Sequence, residues 1–210
     1  MDIKRFKNKP LMGIVRGIDK EIVEPFIEAV ILAGLETLEI TMNTAGAPEI
    51  IRKAKKISKN RLMLGAGTVL NKKDLKQALS AGATFIVTPV LVKDVVKYCV
   101  KNNIPVFPGA LTPSEIYEAW QEGATMVKVF PAKCFGPEYF REVKGPFKEI
   151  ELLACAGVTS INMREYFNCG ATAVAIGTSV FKKYWLEQGR FNDVCSSLKT
   201  YLEQLSNRLD

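Results

Sequence analysis

Not one histidine occurs among the 210 residues of this chain. Its absence removes Ser-His-Asp and Cys-His nucleophile systems, HExxH zinc sites and any His-liganded catalytic zinc. Acid–base chemistry must then fall to Glu, Asp, Lys, Tyr or water. CxxC pairs are missing too. The five cysteines (Cys99, Cys134, Cys155, Cys169 and Cys195) are scattered and odd in number. That suits a reduced, cytoplasmic thiol set rather than a disulfide framework. These residues lead us to expect no metal and no cofactor. Apolar runs are strand-sized and broken by charge or Gly, so none is long enough to span a membrane. The start, MDIKRFKNKP, is basic but has no apolar core or small-residue cleavage site behind it, and no signal peptide is expected.

The formal net charge is +7, yet Lys and Arg are spread along the chain and mixed with Glu and Asp. The densest patch, Arg52-Lys53-Ala54-Lys55-Lys56, falls in a helical stretch and reads as a solvated outer face rather than a nucleic-acid site. A general positive field would draw in small anionic substrates.

What is present is an even beat of short β-branched or apolar runs and longer amphipathic ones. The strand candidates are Leu11–Arg16, Thr37–Thr41, Leu62–Thr68, Thr84–Thr88, Ile104–Pro108, Thr125–Phe130, Glu151–Ala156 and Thr172–Gly177. Helical stretches between them include Lys20–Ala33, Ala47–Ser58, Lys72–Ala81, Val92–Asn102 and Pro113–Glu122, with a closing helix at about Asn192–Leu205. Ala33-Gly34 and Ala81-Gly82 each place Gly just past a last helical turn, as a left-handed C-cap requires. Alternating β and α units argue for a parallel sheet with helices outside. An open doubly wound sheet is the rival, but no GxGxxG follows the first strand and eight even units close naturally. The expected architecture is α/β, a single (β/α)8 TIM barrel filling one domain over residues 1–210. In this barrel, chemistry gathers at the C-terminal ends of the strands, where the βα loops converge.

Two residues there do not belong in a core. Glu39 sits mid-strand in Thr37-Leu38-Glu39-Ile40-Thr41, sharing a face with Thr37 and Thr41. Lys128 stands alone in Thr125-Met126-Val127-Lys128-Val129-Phe130, between Met126 and Phe130 on its own face. Parallel barrel strands are covered on both sides, and burying an unpaired charge costs several kcal/mol. One reading is a structural ion pair across the barrel interior. The other is catalytic: burial depresses a lysine pKa and exposes the neutral amine, while a nearby carboxylate supplies the proton shuttle that imine formation requires.

Other strand ends suggest binding. Cys155-Ala156-Gly157-Val158 follows the seventh candidate strand and Gly177-Thr178-Ser179 the eighth. These are the two loops where this barrel most often holds phosphate, and ordinary turns are the alternative. Thr68 ends Leu64-Gly65-Ala66-Gly67-Thr68 and either shapes the site or caps the next helix. Arg16 ends the first strand, to hold a carboxylate or phosphate or to make a surface ion pair. Cys134, in the loop after Lys128, has no evident activating neighbour and reads as a bystander.

From about Ile14 to Ser179, a set of motifs falls in order with matching spacing: Leu38-Glu39-Ile40-Thr41, Gly65-Ala66-Gly67-Thr68-Val69-Leu70, Thr88-Pro89, Pro108-Gly109 with Thr112-Pro113-Ser114-Glu115, and Lys128-Val129-Phe130-Pro131-Ala132. In these the chain resembles the family of 2-keto-3-deoxy-6-phosphogluconate aldolase, also called 4-hydroxy-2-oxoglutarate aldolase. The resemblance implies that Lys128 is the Schiff-base lysine and Glu39 the general acid–base. It implies that Thr68, Pro89 and Phe130 shape a pyruvate pocket. It further implies a small 2-keto acid substrate, phosphorylated in the larger case, no metal, and a homotrimer. The implied reaction yields pyruvate with glyceraldehyde 3-phosphate or, from the smaller substrate, pyruvate with glyoxylate.

Three positions depart from the family pattern. Asn43 stands where many members have Arg against the substrate carboxylate, and is similar to the branch acting on the galactonate epimer. Cys155-Ala156-Gly157 replaces the usual Thr-Gly-Gly, at a position that helps separate the epimers. Val90 follows Thr88-Pro89 where Gly is frequent. Two other classes stay open: a phosphate-binding isomerase or epimerase without an imine, and a non-catalytic sugar-acid binding protein.

Overall fold

The computed structural model describes residues 1–206. Among the described residues, ten α-helices accompany a nine-stranded, nearly closed parallel sheet, an α/β barrel. The strands are β1 (Leu11–Val15), β2 (Thr37–Thr41), β3 (Met63–Gly67), β4 (Ile86–Val87), β5 (Val106–Phe107), β6 (Gly109–Ala110), β7 (Val127–Val129), β8 (Leu152–Cys155) and β9 (Ala173–Ile176). They run in the order β5-β4-β3-β2-β1-β9-β8-β7-β6. Among the helices, α3 (Ala47–Ser58) and α4 (Lys72–Ala81) span the stretches read from periodicity, while α2 (Val23–Ala33) starts three residues later than expected. Gly34 and Gly82 adopt φ of +92° and +103° and cap α2 and α4 as left-handed residues.

The ninth strand is a departure from the eight expected, and Pro108 explains it. The run expected as one strand, 104–108, hands over from one neighbour to the other at this residue. β5 pairs with β4, and β6 pairs with β7. Proline has no N–H to donate, so the ladder is interrupted there. Its carbonyl is still used: Lys128 N–H donates to Pro108 O at 2.9 Å. Thr125 N–H donates to Val106 O at 2.9 Å on the same side. Gly109 is required at the handover, because a Cβ there would stand 2.1 Å from the Pro89 carbonyl oxygen.

Side chains divide between two cores. Leu38 and Ile40 join the large cluster between sheet and helices, which leaves Glu39 on the opposite face, as period 2 demands. A smaller cluster fills the barrel interior, among it Phe6, Met12, Phe85, Phe107, Met126 and Leu153. Phe6 comes from α1 (Ile3–Asn8), a helix not anticipated from the basic opening sequence. Asp2 caps it by accepting the Arg5 N–H at 3.0 Å. The Phe6 ring meets Phe107 edge-on at 6.0 Å, and Phe107 meets Phe85 at 5.8 Å. The Phe85 edge lies 2.3 Å from where a Cβ on Gly65 would be, so that glycine makes room for the ring. Each buried ring contributes about 1.5–3 kcal/mol. Together they seal the N-terminal end of the barrel, and the other end carries the polar groups.

Among the described residues, no helix is long and apolar enough to cross a membrane.

Candidate active site

Glu39 and Lys128 project into the same cavity of about 400 Å³ at the C-terminal ends of the strands. The neighbouring register positions are small or apolar: Glu39 lies beside Ile14 and Gly65, and Lys128 beside Gly109 and Leu153. Glu39 is 1% exposed and Lys128 6%. The Glu39 Oε2 atom has no hydrogen-bond partner, an arrangement native structures seldom tolerate without a function or a bound ligand. Burial pushes the Glu39 carboxyl above the usual carboxylate range, and the charges of Lys128 and then Arg16 pull it part of the way back. Lys128 Nζ also lies 5.2 Å from the centre of the Phe130 ring, within reach of a cation–π attraction.

Most of the expected binding residues converge on this cavity. Arg16, Thr68, Pro89, Phe130, Cys155, Ala156, Gly157, Gly177 and Ser179 all line it. Arg16 is exposed at the rim. Thr68 does not cap the following helix: Asn71 does, its side chain accepting the Asp74 N–H at 2.9 Å. Thr68 instead holds a φ of +54°, and Ala156 one of +72°. For a β-branched residue this left-handed conformation is an outlier, of the kind that collects at functional sites. Cys155 is buried beside Lys128. Burial raises its thiol pKa, more than the Lys128 charge lowers it, and the thiol stays protonated.

Asn43 is the one expected residue not brought to the cavity. Thr44 N–H donates to Thr41 O at 3.0 Å, closing a turn in which the Thr41 and Thr44 hydroxyls meet inside at 3.1 Å. Asn43, between them, is exposed to solvent. The Gly17 N–H donates to the Thr44 hydroxyl at 2.9 Å, tying the loop after β1 to this turn.

The loops after β8 and β9 present open donors. The backbone N–H groups of Gly157, Val158, Thr178 and Ser179, all on cavity-lining residues, have no acceptor among the described residues. Asn162 pins the first loop: its Nδ2 donates to Gly157 O at 3.0 Å, and its Oδ1 accepts the Thr159 N–H at 2.8 Å. Gly157 has φ +92°, and a Cβ there would stand 2.4 Å from Lys133 Cβ. Any substitution at Gly157 therefore strains the loop whatever it binds.

A model of the aldolase family described as KDPG and KHG aldolase matches residues 3–197. The chain belongs to that family. This aldolase is accordingly a lyase of the class I, pyruvate-dependent kind. It is 28% identical over 195 residues to the 2-dehydro-3-deoxy-6-phosphogalactonate aldolase of Escherichia coli (strain K12), covering 92% of this chain and 95% of that one. It is 31% identical over 191 residues to the 2-dehydro-3-deoxy-phosphogluconate aldolase of Pseudomonas aeruginosa, covering 90% and 86% of the two chains. A solved native KDPGal structure superposes with a TM-score of 0.89 at 26% identity, covering 95% of this chain and 96% of the other.

Three wall residues were not anticipated from sequence: Ile14, Thr159 and Ala175. Gly67 stood out in the sequence only as part of the motif that ends in Thr68. A Cβ on Gly67 would fall 1.4 Å from Glu39 Oε1, so the carboxylate of this aldolase occupies the volume that a side chain on β3 would take. Gly67→Ala should displace Glu39 without unfolding the barrel, because the far end of the glutamate can swing away. A misplacement of about 1 Å costs on the order of 10²-fold in rate. Steady-state kinetics on the variant would show that loss in kcat, and unchanged kcat would mean that the position of Glu39 does not govern turnover.

Proposed function

We propose that this aldolase cleaves a phosphorylated 2-keto-3-deoxy sugar acid through a Schiff base on Lys128, with Glu39 moving the protons. The observation that carries the reading is the pair itself: a buried amine and a buried carboxyl, one of whose oxygens is unpartnered, open to one cavity. The neutral Lys128 amine attacks the C2 carbonyl of the substrate. Glu39 passes a proton to the oxygen of the resulting carbinolamine, which leaves as water and forms the iminium. The Glu39 carboxylate, directly or through water, then takes the C4 hydroxyl proton as the C3–C4 bond breaks. The bonding electrons flow into the iminium to give an enamine, so no metal is called for. Protonation at C3 and hydrolysis release pyruvate and regenerate Lys128. Thr68, Pro89 and Phe130 would shape the pyruvate end, and Arg16 would meet an anionic group at the rim.

The open N–H groups of the two loops support a phosphate at the far end of the substrate. The products would then be pyruvate and glyceraldehyde 3-phosphate, with 4-hydroxy-2-oxoglutarate as the smaller substrate giving glyoxylate. The galactonate epimer is the alternative, supported by the similarity to a 2-dehydro-3-deoxy-6-phosphogalactonate aldolase and to the native KDPGal structure; Cys155, neither the Thr nor the Val typical of the two branches, favours neither. Asn43, the position that resembles the galactonate branch, is exposed and does not line the cavity. Assaying both epimeric phosphates and 4-hydroxy-2-oxoglutarate side by side decides among them. We also read β5 and β6 as one strand broken at Pro108, which makes the barrel eightfold, and we propose one domain that assembles as a homotrimer.

The chemistry is tested by trapping. Pyruvate with borohydride should leave a reduced pyruvyl group on the peptide containing Lys128. An adduct on another lysine would move the nucleophile away from Lys128, and no adduct would replace the imine with acid–base chemistry by the same pair.

A further inference from the structure

Arg16 and Glu39 reach the cavity from neighbouring strands, and the chain ties the two strand ends together beyond the point where the sheet stops. The ladder between β1 and β2 runs as far as Val15 beside Ile40. Arg16 lies one residue past it, exposed at the rim and outside the strand. The next backbone N–H, that of Gly17, donates to the Thr44 hydroxyl at 2.9 Å. Thr44 is 5% exposed and Thr41 fully buried, and their hydroxyl oxygens stand 3.1 Å apart. The Thr44 side chain is therefore a bridge. One contact reaches the end of β2, two residues past Glu39, and the other reaches the residue after Arg16. Buried Ile18 also anchors this loop, but apolar burial is non-directional and leaves the peptide free to turn. A hydrogen bond has a direction. The Arg16 carbonyl and the Gly17 N–H share one rigid peptide plane, so the bond to Thr44 sets how that plane leaves the Arg16 Cα. Gly17 adopts φ +64°, and a Cβ there would meet nothing within 4 Å. The glycine thus serves the turn rather than a lack of space.

We propose that Thr44 is a positioning residue for Arg16, fixing the backbone from which its guanidinium reaches the mouth of the cavity. The inference rests on the reading above that Arg16 meets an anionic group of the substrate. An arginine makes two parallel bonds to a carboxylate or phosphate only when its planar fork is presented squarely. For an exposed, many-jointed side chain, that requires a fixed root. Thr44 supplies it. Because the same hydroxyl is tied to the end of β2, the anion is held in register with the carboxylate that moves the protons. A valine at position 44 would have the same branched shape and offer the Gly17 N–H no acceptor.

Thr44→Val is therefore the test, because it removes one oxygen and preserves the shape. Misaiming Arg16 weakens a charge-assisted contact without deleting it, so KM for the phosphorylated epimer that the wild-type enzyme cleaves should rise roughly three- to tenfold. A contact made equally in ground and transition states moves KM alone, so kcat should change by about twofold at most. An equal rise in KM for 4-hydroxy-2-oxoglutarate would place Arg16 on the carboxylate that both substrates share. A rise for the phosphorylated substrate alone would place it on the phosphate. Thr44→Ser keeps the oxygen and should recover most of the affinity. If the valine variant does not fold, Thr44→Cys, whose sulfur is a weak acceptor, serves the same comparisons. In an Arg16→Ala background, removing the Thr44 hydroxyl should add nothing further, since Thr44 acts through Arg16. An unchanged KM, a loss confined to kcat, or a full Thr44 effect in the absence of the arginine would overturn the inference. A wild-type enzyme that cleaved none of these substrates would refute the proposed function separately. The inference would then be decided by the shift in Tm that pyruvate or inorganic phosphate produces. It should be smaller in Thr44→Val than in wild type; an equal shift, or none in wild type with either anion, would overturn it.

Discussion

Replacing Lys128 with Ala should lower aldol cleavage on the order of 10⁴–10⁶-fold, the range found when one member of an interdependent catalytic set is deleted. Among the described residues that line the cavity, Lys128 is the only amine; the other cation there, Arg16, has a guanidinium that cannot form an imine. No neighbour can take over the nucleophile's role. Lys128→Arg sharpens the experiment, since it keeps a positive charge facing Glu39 but cannot condense with a ketone. If Lys128 worked mainly as a charge, Arg would recover much of the rate. Covalent chemistry predicts that Arg and Ala fail alike. Single-turnover assays at high enzyme concentration would reveal the residual rate, and substantial activity in either variant would end the Schiff-base reading.

The second large effect belongs to Glu39. Glu39→Gln retains the size and hydrogen bonding of the side chain but moves no protons, so kcat should fall by about 10²–10⁴-fold. A near-normal kcat would demote Glu39 to a structural counter-charge for Lys128. Stability gives an independent readout of the same residue. Burial raises the folded-state pKa of Glu39 above its ordinary value of 4.5. The neutral acid therefore favours the fold: its contribution is complete below pH 4.5 and is lost as the pH rises through the raised value. Glutamine does not titrate. Denaturant unfolding at a series of pH values should show wild type losing stability relative to Glu39→Gln across that window. A constant difference would mean that Glu39 is no harder to ionise in the fold than in the open chain.

The site's two charges were legible because they violate a pattern. An apolar strand with one Lys, and another with one Glu, stand out in any covered sheet, and both faces were assigned correctly by alternation alone. The strand-end positions followed from the beat of the units, and for that reason Arg16, Thr68 and the two loops were found without any pairing information. Other features left weaker traces or none. The helix that plugs the barrel spans six residues and buries only Phe6, too short for a periodic signal. The break at Pro108 concerns backbone donors, which hydropathy does not register. Asn43 is placed by a turn hydrogen bond that turns Thr44 inward and leaves its neighbour in solvent. Gly67 acts on an atom far along the chain, Glu39 Oε1. A glycine in a strand carries no mark of such a partner.

The aromatic seal at the N-terminal end of the barrel gives the site a single mouth. Phe6, Phe107 and Phe85 close the floor, so neither water nor a buffer ion can approach the buried pair from beneath. Traffic in protons must use the aperture that the substrate fills. While that aperture is occupied, the protons on Glu39, Lys128 and the bound keto acid form a closed inventory. In the proposed reaction, whatever Glu39 removes from the C4 hydroxyl would remain at hand for the enamine carbon, so that one proton would be recycled within the vessel.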